Sequence, residues 1–267
     1  MFNYLFITNK PDIASYVESC GVSRIFIDLE RIGKFERQGK LDTVISQHEF
    51  SDISKVKSSL STAELLVRLN PFHKGSKLEV EKAISDGADI IMLPMIRNLE
   101  EVKLFGEFIQ KRAKFIPLIE TISSAFIIND ICKLESVDEL HIGLNDLHLE
   151  LNLSFMFELI SNGYVDKMVK DLTKPFGIGG IARVGQGEVN GESVMSQHVR
   201  LKSSGVILSR AFHLRATSLD ELKSKLDLQH EILLLNSARE EFLVEPVSKI
   251  KERKAFFVES VKRVTSL

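Results

Sequence analysis

Cysteine is scarce in this chain, whose 267 residues hold two, Cys20 and Cys132. Both fall in apolar helical patterns, which excludes a disulfide framework and points to reduced, interior thiols. No apolar run approaches the roughly 20 residues that span a bilayer. The opening Met1-Phe-Asn-Tyr-Leu-Phe-Ile-Thr-Asn-Lys10 lacks a basic start followed by an apolar signal core. Long basic runs are missing and the formal charge is −2, so a nucleic-acid partner is not expected. Short-period repeats and low-complexity segments are absent as well. These absences together predict a soluble, cytoplasmic protein that meets neither membrane nor nucleic acid.

What is present is ample core material, with 44% hydrophobic and 27% charged residues, enough for one large domain or two small ones. Short apolar segments suited to strands recur at Tyr4 to Ile7, Arg24 to Asp28, Glu64 to Leu69, Asp89 to Leu93, Phe115 to Ile119, Glu139 to Ile142, Phe176 to Ile181 and Val206 to Leu208. Helical spacing separates most of them. Ile13, Tyr16, Val17 and Cys20 form one stripe, and Val102, Phe105 and Ile109 another behind an Asn98 cap. Further helices are expected over Asp52 to Leu60, Lys77 to Asp86, Ser123 to Leu134, Phe155 to Leu172 with a break near Asn162-Gly163, and Ser193 to Lys202. Glu30 to Gln47 reads as a long charged connection.

Eight strands alternating with helices predict an α/β fold, a parallel (β/α)8 TIM barrel with an outer helical ring. An open doubly wound sheet is the competitor, but no Gly-x-Gly-x-x-Gly follows the first strand. The barrel is expected over residues 1–215 and a helical C-terminal extension over 216–267. Ser218 and Glu221 make a capping-box pattern, and after Pro246 the residues Val247, Ile250, Lys254, Phe257, Val261 and Val264 form a seam broken by one lysine. That seam suits packing on its own barrel or on a neighbouring subunit.

The active face of such a barrel lies at the strand C-termini. Asp28, Glu30 and Arg31 follow the second strand, Arg68 the third, Glu120 the fifth and Asp146 the sixth. An isolated carboxylate is costly to bury, so strand-end acids belong at a solvent mouth, in a pair or on a metal. Rim salt bridges would explain any one of them. Several acids converging with one arginine fit better a hard divalent cation, which keeps waters and takes one or two carboxylates. Glu120 and Asp146 would hold Mg²⁺ or Mn²⁺. A 2-oxo acid could chelate there, with Arg68 adding positive charge where an enolate develops.

Five runs carry a family resemblance: Phe26-Ile-Asp-Leu-Glu30, Val67-Arg-Leu-Asn-Pro71, Gly87-Ala-Asp-Ile-Ile-Met-Leu-Pro-Met95, Ile119-Glu-Thr121 and Ile142-Gly-Leu-Asn-Asp-Leu147. In this order they resemble the HpcH/HpaI aldolase and citrate lyase β-subunit family. The resemblance implies a phosphoenolpyruvate/pyruvate-type barrel and a metal-dependent carbon–carbon lyase, an aldolase of the class II type. Its substrates would be pyruvate-like 2-oxo acids or acyl-CoA-type compounds. It also implies Glu120 and Asp146 as metal ligands and Arg68 on the substrate carboxylate or enolate. Substrate contacts are expected at Gly143 and Asn145, and homo-oligomers through exchanged C-terminal helices.

The chain departs from that pattern at Arg31, where the aldolase branch carries a histidine acting as base. Guanidinium stays protonated and serves poorly in that role. His73, five residues after Arg68, and His148, two after Asp146, are the candidate proton carriers, though each also fits an ordinary polar loop. His141 reads as a satisfied core or rim histidine, and His48 has no assignable place.

Gly177-Ile-Gly-Gly-Ile-Ala-Arg-Val-Gly-Gln-Gly187 could bring backbone N–H groups to an anion, aided by Arg183 and more weakly by Arg210; tight turns explain the glycines equally well. Arg31 would share such an anionic pocket. Two alternatives to an aldolase remain from the sequence. One is a citrate lyase-like acyl-CoA lyase or thioester hydrolase; the other is a catalytically silent barrel that binds an anionic metabolite.

Overall fold

A computed structural model describes residues 2–33 and 47–266. The expected connection from Glu30 to Gln47 falls largely outside them. Eight parallel strands close into a barrel in chain order: β1 (Asn3–Ile7), β2 (Arg24–Asp28), β3 (Glu64–Arg68), β4 (Ile90–Leu93), β5 (Lys114–Ile119), β6 (Leu140–Ile142), β7 (Phe176–Ile181) and β8 (Gly205–Leu208). Asn3, Tyr4 and Leu5 pair with Gly205, Val206 and Ile207 and complete the ring. The expected barrel is the observed one, and strand ends agree with the sequence reading to within a residue or so.

Because side chains alternate across a strand, every second residue points into the barrel. The middle of the interior is apolar, built from Leu5, Phe26, Leu66, Ile90, Met92, Ile116 and Leu118. Two residues back along three of these strands lie Arg24, Glu64 and Lys114. Two residues forward lie Asp28, Arg68 and Glu120. One periodicity therefore stacks a charged floor, an apolar middle and a charged mouth.

The floor is an ion network. Arg24 donates from Nε to Glu64 at 3.0 Å and with both terminal nitrogens to Glu139, at 2.8 and 2.6 Å. Lys114 Nζ reaches the other Glu64 oxygen at 2.5 Å. Arg24 is 5% exposed, and removing one partner of a buried pair strands the other charge. Arg24→Met is therefore expected to destabilise the fold by about 3–5 kcal/mol in urea unfolding. A change below about 1 kcal/mol would mean that the floor contributes no more than a surface ion pair.

The ring contains α1 (Pro11–Ser19), α2 (Phe50–Lys57), α3 (Ser76–Ser85), α4 (Leu99–Ile109), α5 (Ile122–Phe126), α6 (Ile128–Lys133), α7 (Leu144–Glu150), α8 (Glu158–Ser161), α9 (Tyr164–Val169) and α10 (Gly191–Leu201). Two differences from the sequence reading stand out, beside one expected break. The single helix expected over Ser123 to Leu134 is two, parted at Ile127, whose backbone leaves the helical region. The break at Asn162-Gly163 is real, Gly163 taking φ 80 between α8 and α9. And α7 follows β6 after one residue, where no helix was expected.

The tail forms α11 (Leu219–Lys225), α12 (Leu228–Leu243) and α13 (Val247–Thr265). Helix α12 was not expected, although Asp227 caps it and Leu228, Ile232, Leu235 and Phe242 bury one stripe. In α13 the second half of the seam packs on its own barrel. Phe257 and Val261 are buried, Phe257 meets the Phe157 ring edge-on at 5.9 Å, and the interrupting Lys254 reaches Asp166 at 3.0 Å. Leu243, Val244, Val247 and Phe256 stay exposed. Cys20 and Cys132 are free and buried, as expected. No helix among the described residues is long and apolar enough to cross a membrane.

Candidate active site

The charged mouth gathers side chains from β2, β3, β5 and α7. Asp28 and Arg68 are register partners on adjacent strands, so both point inward at the same height. Arg68 grips Asp28 with a two-pronged contact, Nε and Nη2 each 2.9 Å from a carboxylate oxygen, and lies 3.4 Å from Glu30. Its guanidinium sits over the Phe26 ring at 5.5 Å. Burial alone would weaken its charge, but Asp28, Glu30 and Glu120 outweigh that and hold the proton more firmly than usual.

Glu120 directly follows the last residue of β5 and is 2% exposed. Thr121 directly after it caps α5, accepting from Ser124 N–H at 3.0 Å and donating to Ile96 C=O at 2.6 Å. One oxygen of Glu120 accepts the Met95 N–H at 3.0 Å. Met95 takes φ 52, a left-handed geometry that costs on the order of 1–2 kcal/mol in a non-glycine residue. Burial, then the charges of Asp146 and Glu30, push the Glu120 carboxyl up to about 8, while Arg68 and the Met95 N–H pull it down. Among the described residues, Asp146 and Glu30 thus set negative charge beside Glu120, which Arg68 and the Met95 N–H offset in part.

Asp146 requires a correction. It does not close β6 but lies in the first turn of α7, four residues beyond Ile142. Leu144, Leu147 and His148 are buried at helical spacing, which turns the expected loop into a helix and sets Asp146 on its less buried side. Gly143 makes the approach possible, because a Cβ there would lie 2.8 Å from Glu120 Cβ and 3.0 Å from its free oxygen. Asn145 is exposed.

Hard carboxylate oxygens, crowded negative charge and a glycine opposite the free Glu120 oxygen suit a small divalent cation. No group of three or more His, Cys, Asp or Glu among the described residues is arranged to hold a metal. A pair with solvent positions is what Mg²⁺ accepts.

The expected proton carriers are not brought to these acids by the contacts they make. His73 accepts the Gly75 N–H at Nδ1 and sets Nε2 3.2 Å from Glu79. His148 is 8% exposed and directs Nδ1 at Leu144 C=O, 3.2 Å away in its own helix. His141 points into the barrel with Nε2 unsatisfied, rather than satisfied as expected, and burial pushes it down to about 3.

His48 lies at the end of β2, where its Nδ1 accepts the Asp28 backbone N–H at 3.0 Å. Sequence reasoning missed it, since the 20-residue separation of Asp28 and His48 carries no periodic signal. It also missed Asn70, whose Oδ1 accepts the N–H groups of Arg31 and Ile32 at 2.8 and 3.0 Å.

Arg183 turns toward Glu231 of α12 at 3.6 Å, and its Nε, like Arg210 Nη1, is buried without a partner. Gly185 and Gly187 take φ 71 and 93, and a Cβ on Gly191 would meet Ala182 O at 2.1 Å. Turns account for Gly185 and Gly187 and close packing for Gly177, where a Cβ would meet His141 Nδ1 at 2.4 Å, whereas Gly179 and Gly180 meet only ordinary contacts at 3.4 and 3.5 Å.

No family model matches the sequence, and no curated protein does. The folded chain, by contrast, superposes on solved structures. An HpcH/HpaI aldolase/citrate lyase family protein from Burkholderia cenocepacia aligns with TM-score 0.63 at 14% identity, over 84% of this chain and 95% of that one. The chain shares the fold of HpcH/HpaI-type barrels. An HpcH/HpaI aldolase from Desulfitobacterium hafniense gives TM-score 0.59 at 15% identity, over 84% and 93% of the two chains. Citrate synthase SbnG gives 0.61 at 15% identity with the same shares. At such identity the likeness fixes an HpcH/HpaI-type architecture and leaves the chemistry to the side chains.

Proposed function

We propose that this HpcH/HpaI-type barrel is a divalent-metal-dependent lyase or aldolase that makes or breaks a carbon–carbon bond next to a 2-oxo acid. The observation that carries the reading is the buried Glu120 carboxyl, its outer oxygen facing Gly143 at the start of the helix that bears Asp146, at a mouth where Arg68 is held by Asp28 and Glu30. Glu120 and Asp146 would hold Mg²⁺ or Mn²⁺, and such an ion supplies Lewis acidity toward the ketone.

The chain's own residues do the remaining work. Arg68 places a fixed guanidinium where enolate charge develops, and Asp28 and Glu30 lock its orientation beforehand. Since Nδ1 of His48 accepts from Asp28, the neutral ring carries its proton on Nε2 and can donate from there. In that state His48 offers a substrate oxygen a hydrogen bond rather than a proton, because loss of the Nε2 proton would leave an imidazolate. Acyl-CoA thioesters are the second substrate class, which a turnover screen against 2-oxo acids separates.

Metal binding checks the ligand assignment directly. Glu120→Gln and Asp146→Asn are each expected to weaken Mn²⁺ binding, followed by electron paramagnetic resonance, by about a hundredfold or more. Wild-type affinity in both variants would remove the pair from the site.

A further inference from the structure

Past the end of β2 the backbone is held at four consecutive N–H groups. Leu29 donates to Arg68 C=O at 2.9 Å and carries the pairing of β2 with β3 one residue further. Glu30 donates to Asp28 Oδ1 at 3.2 Å. Arg31 and Ile32 both donate to Asn70 Oδ1, at 2.8 and 3.0 Å. The ladder between the strands stops here, and a side chain two residues past β3 takes its place.

Asn70 is itself fixed from behind. Its Nδ2 donates to Glu79 Oε1 at 2.8 Å and its backbone N–H to Glu79 Oε2 at 3.3 Å, Glu79 lying in the first turn of α3. With Asn70 9% exposed, water competes little for these bonds. The position needs an amide, an acceptor toward two N–H groups and a donor toward a carboxylate.

The clamped peptide is the one that joins Glu30 to Arg31. Glu30 is 2% exposed and stands 3.4 Å from Arg68 Nη2. After burial and Asp146, it is the next cause that pushes the Glu120 carboxyl up. Asn70 thus reaches the mouth acids through the backbone that carries Glu30.

We propose that Asn70 is a positioning residue, which ties the segment after β2 to α3, holds Glu30 against Arg68 and so fixes the direction of the guanidinium. This inference rests on the function proposed above. A clamp that served the fold alone would lower the urea midpoint and leave the rate of each intact site unchanged.

The test is deuterium exchange into pyruvate at saturating substrate, expressed per bound Mn²⁺ counted by electron paramagnetic resonance. Asn70→Ala and Asn70→Asp are each expected to lower this rate about tenfold or more with KM within about twofold. In Asn70→Asp two carboxylates face each other across the former bond to Glu79. Adding Glu79→Gln exchanges acid and amide, restores donor to acceptor, and is expected to bring the rate back to within about threefold of wild type. Should Asn70→Ala not fold, Asn70→Asp and the double variant decide. Wild-type rates per site in the single variants, or no recovery in the double variant, would overturn the assignment. A wild type that binds Mn²⁺ but exchanges nothing defeats the proposed function by itself, and Mn²⁺ affinity then tests the clamp. Affinity about tenfold weaker in Asn70→Asp and regained in the double variant would uphold the placement of Glu30, and unchanged affinity would overturn it. A wild type that neither exchanges pyruvate nor binds Mn²⁺ would overturn both readings.

Discussion

Arg68→Lys is expected to lower turnover of a 2-oxo acid by about two to three orders of magnitude while leaving most of the stability in place. Lysine keeps one positive charge among Asp28, Glu30 and Glu120 but cannot reproduce two parallel contacts to Asp28. The charge facing the developing enolate then loses its fixed direction, and preorganisation is what an electrostatic catalyst contributes. Arg68→Met goes further. It removes the two-pronged contact to the buried Asp28 and the charge beside the buried Glu30, and should cost about 3–5 kcal/mol of stability. Rates and urea midpoints of both variants separate these effects. Near wild-type turnover in Arg68→Lys would show that Arg68 serves the fold alone.

Acidification is expected to weaken the fold well before carboxylates titrate. Burial holds His141 and His198 down to about 3 and His213 to about 4, against an ordinary value of 6.5. The unfolded chain therefore takes up these protons first. The stability each histidine contributes is complete above 6.5 and is lost as pH falls toward the folded value, at about 1.4 kcal/mol per pH unit.

Glu120 works in the opposite sense. Its folded value near 8 exceeds the ordinary 4.5, so its contribution is full at low pH and lost as pH rises through 8. Between pH 6.5 and about 5 the histidines outnumber it, leaving a net loss of about 2–4 kcal/mol. Urea midpoints across that range measure the loss, and His141→Leu should flatten it. A flat profile in the native chain would mean that His141 and His198 are hydrated in the fold.

Much of this architecture is legible in the sequence because it depends on local pattern. Each strand is a short apolar run, and two residues beyond Phe26 and Leu66 the same alternation delivers Asp28 and Arg68. Glu120 could be found in this way. Asp146 could be named but not placed, because Leu144, Leu147 and His148 bury one face of a helix that looks like a loop after a strand. His48 and Asn70 meet Asp28 and Arg31 across long stretches of chain, and only the closed barrel brings them together. Helix α12 had a visible cap and stripe at Asp227, Leu228, Ile232 and Leu235, so its omission was avoidable.

The most direct test of the account is deuterium exchange into the methyl group of pyruvate, followed by proton NMR. The reaction is run with Mg²⁺ or Mn²⁺, with chelator, and with Glu120→Gln. The account predicts exchange that needs the metal and disappears in the variant. Exchange that persists in Glu120→Gln, or none under either metal, would contradict an enolate-forming site at this mouth.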